Sequence, residues 1–433
     1  MANAIRFRTH WETGLRCNGT GVTPLPLNVA GNGGPPHTGI ATMPNTAASR
    51  LTLMPYSEAT VIHAASSALA EVGGKVSAGF VFASADYHEN LPDFLELIQL
   101  HGHVPLLAGC SGSGVIGTNR EAEKAAGFSL LLLHLPETKI HACALSASQA
   151  DSAGSPQDWH RITGVKPGEV DAWIGFCDPF GFPVESWING WNAAYPGVPM
   201  LGGLCSGPEG SSEGVFVSHG HEMLPPGSAM LLGIKGGVTL RPLLSQGCRP
   251  IGEPLTVTGT HGNLVLALGG KPAYAMLAEA FESLDDRDKA RAQGNLFAGL
   301  ASSEYIEDFK QGDFLIRSIL GADARSGAVA LGAYPRVGQT LQWQLRDGVT
   351  ADDDLRMSLL LERSRKPPPF ASLVFVCNGR GRDLFGTPNH DAHALSQIIG
   401  SHPSSGCFCN GEIGPIGRTN FVHGYSVSMA LFV

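Results

Sequence analysis

The sequence predicts a mixed α/β protein in which repeated strand–helix–strand units form two mixed sheets flanked by helices. Three observations predict it. One layout of short apolar runs, a helical spacing and a Gly-rich turn recurs three times along the 433 residues. The stretch between the second and third copies alternates as short strands around one amphipathic segment. The composition, 43% hydrophobic and 15% charged, is that of a globular chain with room for several ordinary cores.

Residues 1–50 stand apart. They are rich in Gly, Pro, Asn and Thr, as in GNGGPPHTGIATMPNT, show no hydrophobic period, and read as a mostly disordered lead-in. The first repeat unit opens with AGFVFASADYHE at Ala78, continues through DFLELIQLHG to VPLLAGCSGSGVIG, and closes with FSLLLLHLP. The second opens with DAWIGFCDPFG at Asp171, runs through ESWINGWNAAYPG to VPMLGGLCSGPEG, and closes with SAMLLGIKG. The third opens with ASLVFVCNGRGRDLFG at Ala371, runs through DAHALSQIIGSH to PSSGCFCNGEIGPIG, and closes with YSVSMALFV. In each, about 30 residues separate the opening run from the later cysteine, one strand–helix–strand length. Phe94, Leu97, Ile98 and His101 carry the helical spacing in the first.

Between the second and third units, GCRPIGEPLTVTGTHGNLVLALGG reads as strands with turns at GTHGN and ALGG, and KPAYAMLAEAFESL as an amphipathic helix. FLIRSILGADARSGAVALGAYPRVGQTLQWQLRD returns to strands. ADDDLRMSLLLERSRK reads as a helix whose acidic first turn is Asp352, Asp353 and Asp354, and Pro367–Pro369 break the chain after it. The organisation expected is a lead-in to residue 50, one domain over 51–236 and another over 237–433.

The net charge of -9, from 29 basic and 38 acidic residues, argues against a sequence-independent grip on nucleic acid. No apolar run reaches the roughly 18–20 residues that span a bilayer, and the N-terminus lacks a secretory apolar segment. Nine scattered cysteines suggest reduced thiols and a cytoplasmic setting.

The C-terminal half resembles the FIST C-terminal domain, on GCRPIGEPLTVT, GNLVLALGGKPAYAML, FLIRSILGADARSGAVALG, FVCNGRGRDLFG and GCFCNGEIGPIG. Residues from about 60 to 235 are similar to the FIST N-terminal domain, carried by LLAGCSGSGVIG and MLGGLCSG. Many members place an acidic residue soon after the first Gly-Cys-Ser, where this chain has Val115 and Ile116. The resemblance implies a sensory input module that binds a small ligand, such as an amino acid or a similar polar metabolite, and signals through a separate partner protein. Some members are haem-based gas sensors, so haem is the alternative ligand it implies. No cofactor, metal, nucleic-acid or membrane partner is expected otherwise.

Candidate ligand-binding residues cluster at the Gly-rich turns. Asn378, Arg380 and Arg382 follow the third opening strand, where an arginine fork suits a carboxylate; Cys409, Asn410 and Glu412 form the other half of that constellation. Arg380 and Glu412 together would hold a zwitterion, or would simply pair with each other. Cys110, Ser111 and Ser113 are matched with Cys205 and Ser206 as the corresponding turns of the first two units. Asp178 sits at the second opening strand's end, as a pocket wall or a cap. Cys407 and Cys409 share a strand face, but no second pair lies at a zinc-like spacing. A thiol enzyme using Cys110, Cys205 or Cys409 ranks last, because no base is tied to any of them by spacing.

Overall fold

The computed structural model describes residues 44–433. The expected lead-in lies outside the described residues except at its end, where Thr46–Thr52 form a strand.

The chain is mixed α/β, with four mixed or antiparallel sheets where the sequence suggested two. Each repeat unit builds a sheet of its own, and the segment between the second and third units curls into a fourth. In the first unit the opening strand Ala78–Ala83 runs parallel to a second strand, Leu107–Ser111, and antiparallel to the closing strand, Phe128–His134. The second unit repeats this with Ala172–Cys177, Met200–Leu204 and Ser228–Lys235, and the third with Ala371–Cys377, Ser404–Cys409 and Ser426–Phe432. A preceding strand flanks each closing strand: Thr46–Thr52, Lys139–Ser146 and Leu240–Gln246. The opening strands are buried along their whole length, so they read as continuous apolar runs without alternation.

The parallel pairs require a crossover, and a helix supplies it in each unit: Leu91–Gly102, Val184–Ala194 and His390–Ile398. Leu91, Phe94, Leu95 and Ile98 bury one face of the first at helical spacing, and Trp187, Ile188, Trp191 and Ala194 do so in the second.

After each second strand comes a hairpin that leaves its own sheet. The first unit's hairpin, Gly114–Gly117 with Arg120–Glu123, pairs with the third unit's Ser404–Cys409. The second unit's Val217–His219 pairs with the first unit's Leu107–Ser111. The third unit's Glu412–Ile416, with Thr419–His423, pairs with the second unit's Met200–Leu204. The exchange is cyclic, so every unit completes the sheet of another.

Where the three sheets meet, Phe82, Phe176 and Phe375, each fifth in its opening strand, form a triangle of edge-on and tilted rings with centroids 5.5, 5.7 and 5.8 Å apart. Beside them, Gly109, Gly202 and Gly406 lie opposite the opening strands, and a Cβ on any of them would stand 1.8 Å from the carbonyl oxygen of Val81, Gly175 or Val374. Only glycine permits that approach.

The fourth sheet is antiparallel and closes on itself, because Cys248–His261 pairs with both Thr340–Arg346 and Leu264–Leu268. Ile251, Val257, Val265, Leu341 and Trp343 fill this small barrel, against the helix Ala273–Glu282. The helix Gly348–Arg363 then leads back to the third unit. It begins earlier than the acidic run suggests: Asp347 caps it by accepting from the Val349 N–H, so Asp352, Asp353 and Asp354 fall in its second turn.

Candidate functional site

The glycine trio fixes how the turns correspond. Counting on from Gly109, Gly202 and Gly406 sets Gly112 level with Cys205 and Cys409, and Ser113 level with Ser206 and Asn410. The backbone agrees: Gly112 N donates to Ala83 O at 3.0 Å and Cys205 N to Cys177 O at 2.9 Å, each acceptor being the last residue of its opening strand. Matching Cys110 to Cys205 by motif is therefore two residues out of register.

Ser113, Ser206 and Asn410 meet in one hydrogen-bonded ring. Ser113 N donates to Ser206 Oγ (2.9 Å), and Ser113 Oγ to Asn378 Oδ1 (2.6 Å). Asn378 Nδ2 donates to Asn410 Oδ1 (2.7 Å), and Asn410 Nδ2 to the carbonyls of Cys205 (3.3 Å) and Gly210 (3.1 Å). All three units contribute, so the ring ties the strand ends together.

A cleft of about 500 Å³ opens beside this ring, between the third unit and the barrel. Asn378, Cys409 and Asn410 line it, as do residues the sequence reading did not single out: Glu185, Arg317, Ser318, Arg346, His423 and Tyr425. Arg346 ends a barrel strand. Its Nη1 donates to Gly379 O at 3.1 Å, its guanidinium lies 5.7 Å from the Tyr425 ring centroid, and its buried Nε has no partner. A Cβ on Gly379 would crowd both Tyr425 and Arg346, at 2.9 and 3.1 Å. Arg317 reaches across from the barrel to Val422 O (3.2 Å) and to Glu185 (3.3 Å) on the second unit's helix. Burial presses the Arg317 guanidinium below its ordinary value, and Glu185 opposes that. Burial also brings His423 down to about 4, so its imidazole is neutral and bonds Gly414 O through Nε2. The charge in the cleft therefore comes from two arginines and one glutamate.

A second chamber of about 420 Å³ shares Glu185, Arg317 and Val422 with this cleft and continues past them to Asn189, Tyr334, Arg336 and Gln339.

The other sequence candidates lie elsewhere. Arg380 does not meet Glu412 as a partner. It is fully buried and pairs with Asp391 through two bonds of 2.8 and 2.9 Å. Burial opposes the Asp391 charge, yet Arg380 and His390 outweigh it and hold the carboxyl at about 2. Glu412 is sealed in the core, accepting from Ser426 Oγ (2.5 Å) and Cys409 Sγ (3.4 Å), and burial pushes it up to about 8. Both carboxylate oxygens of Asp178 are taken, by Phe180 N at 2.9 Å and Gly227 N at 2.7 Å, which makes it a loop brace. Ser111 Oγ accepts from Phe216 N at 3.1 Å. Arg382 is exposed, and its backbone N–H donates to Glu123. Cys110 is buried among apolar side chains. Burial raises the Cys110 and Cys409 thiols well above their ordinary value and Cys205 to about 11, so none is a ready nucleophile. Among the described residues, no group of three His, Cys, Asp or Glu side chains is placed to hold a metal ion, and no helix is long and apolar enough to cross a membrane.

The fold and cleft define an α/β body of interlocked units joined to a small barrel, with an arginine-lined opening at the joint. The FIST N domain family matches residues 77–271 and the FIST C domain family residues 273–415, so the chain belongs to the FIST family. FIST domains are sensory domains of signal transduction. An uncharacterised protein of Mycobacterium tuberculosis (strain H37Rv) is 32% identical over 365 residues, 83% of this chain and 92% of that one. An uncharacterised protein of Mycobacterium bovis is 33% identical over 385 residues, 88% and 96% of the two chains. Among solved structures, a cyanuric acid hydrolase from A. caulinodans aligns over 89% of this chain and 99% of its own at 11% identity, with a TM-score of 0.32.

Proposed function

We propose that this chain is a sensory module whose cleft binds an amino acid or a similarly small zwitterionic metabolite, and that a separate protein reads the occupied state. One observation carries the reading: Arg346, whose one side-chain hydrogen bond among the described residues runs from Nη1 to Gly379 O, lines the same cleft as Asn378, Asn410 and Glu185. A ligand carboxylate suits the remaining guanidinium N–H groups, and the amide oxygens and Glu185 suit an ammonium group. The arginines stand on the barrel and the asparagines on the repeat units, so a ligand touching both favours one arrangement of the joint, as signalling requires. The eight cysteines among the described residues are free thiols, consistent with a reducing, cytoplasmic setting.

Haem is the second reading. His423 favours it, because this neutral imidazole lines the cleft. Native mass spectrometry and an absorption spectrum of the purified protein separate the two. A colourless protein retaining an amino-acid-sized adduct supports the first reading, and a Soret band overturns it.

A further inference from the structure

The two contiguous chambers carry a charge that a simple zwitterion leaves unmet. Arg317, Arg336 and Arg346 line them against one carboxylate, Glu185, and Arg317 and Glu185 already face each other at 3.3 Å. Arg346 lines the first chamber and Arg336 the second, with Arg317 and Glu185 common to both. This concentration of positive charge sits in a chain whose net charge is -9.

The backbone of Arg336 is fixed by its turn, and its side chain is exposed. Its backbone N–H donates to Gln339 Oε1 at 3.2 Å, and Gln339 N donates back to Arg336 O at 3.1 Å. Among the described residues its guanidinium makes no hydrogen bond and no ion pair, and Asn189 and Ser302 line the same chamber. An arginine without a protein partner, in a chamber adjoining one lined by a second arginine, suits a two-headed anion.

We infer that the ligand carries a second acidic group: its α-carboxylate lies at Arg346, its chain passes the Arg317–Glu185 pair, and its distal acid lies at Arg336. The class is the α-amino dicarboxylates and equally extended dianions. This inference rests on the cleft reading above and adds the distal acid to it.

Titration calorimetry on the full chain, with matched pairs of probes, tests it. The pairs are glutamate with norvaline, 2-aminoadipate with norleucine, and 2-aminopimelate with 2-aminoheptanoate. The diacid whose length fits binds about tenfold or more tighter than its neutral partner, as one charge-assisted arginine contact gives. In Arg336→Ala the two affinities of that pair converge, while Arg336→Lys keeps most of the difference. Thermal melts confirm that both variants fold. If neutral and acidic members bind alike in the wild type, or Arg336→Ala leaves the preference intact, the distal acid is wrong and the cleft reading stands. If no member of any pair binds, both fall.

Discussion

At the scale of single residues, the buried charges separate structural from ligand-facing roles. Arg380 looked like a ligand arginine in the sequence because a Gly-rich loop follows its strand. Its partner Asp391 lies eleven residues on, at the start of the crossover helix, where no spacing rule points to it. Removing Asp391 leaves a buried guanidinium uncompensated, so Asp391→Ala costs roughly 3–5 kcal/mol in chemical denaturation; a loss below about 1 kcal/mol would show that the pair does not hold the loop. Glu121 and Glu412 behave differently. Burial pushes both up to about 8, so the folded chain binds protons that the unfolded chain has released. Their contribution to stability is therefore full at acid pH below the ordinary carboxyl range, and falls as pH rises through that range toward 8. Glu412→Gln keeps the shape without the charge, and the denaturation midpoint then declines less steeply between about pH 5 and 8 than in the wild type. A slope unchanged by the substitution contradicts a raised Glu412. The cleft residues Arg317, Arg346 and Glu185 were illegible for another reason: Glu185 lies more than a hundred residues before the two arginines, and each alone looks like a surface charge.

At the scale of elements, the local signals carried far. The opening strands, the crossover helices and the closing strands lie where the apolar runs and helical spacing put them, because each is a local pattern of burial. Two things were not local. The hairpins pair outside their own units, which no turn sequence reveals. The correspondence of the turns is set by Gly109, Gly202 and Gly406, whereas the Cys-Ser pairs that draw the eye are offset by two residues in the first unit. The glycines make a sharp prediction. Gly406→Ala drives a methyl into the Val374 carbonyl, and the protein is recovered mainly as insoluble material or melts far below wild type. Gly154→Ala serves as a comparison with open space around its Cβ. At the meeting point of the sheets, Phe375→Ala removes one corner of the ring triangle and costs about 3–5 kcal/mol. Denaturation that shows under 1 kcal/mol for this change would mean the triangle is not a packed core.

At the scale of the whole molecule, the cyclic hairpin exchange makes the chain harder to divide than its family architecture suggests. The third sheet needs the first unit's hairpin, and the second sheet needs the third unit's. Residues 44–236 and 237–433 expressed separately should each lack a native fold by circular dichroism and solubility. Co-expression should recover a complex. Two halves that fold independently would refute the interlocked design. The same design explains why the cleft sits at the joint: the ring of Ser113, Ser206, Asn378 and Asn410 locks the units, and the barrel is the part left to respond. The central claim is that this joint holds a small zwitterion through Arg346. Its most direct test is calorimetric titration of a panel of amino acids into the wild type and Arg346→Ala. The account predicts saturable heat for at least one member in the wild type, with affinity lowered about tenfold to a hundredfold in the variant, the loss of a charge-assisted bidentate contact. Heat for no member, or equal affinity in both proteins, would contradict it.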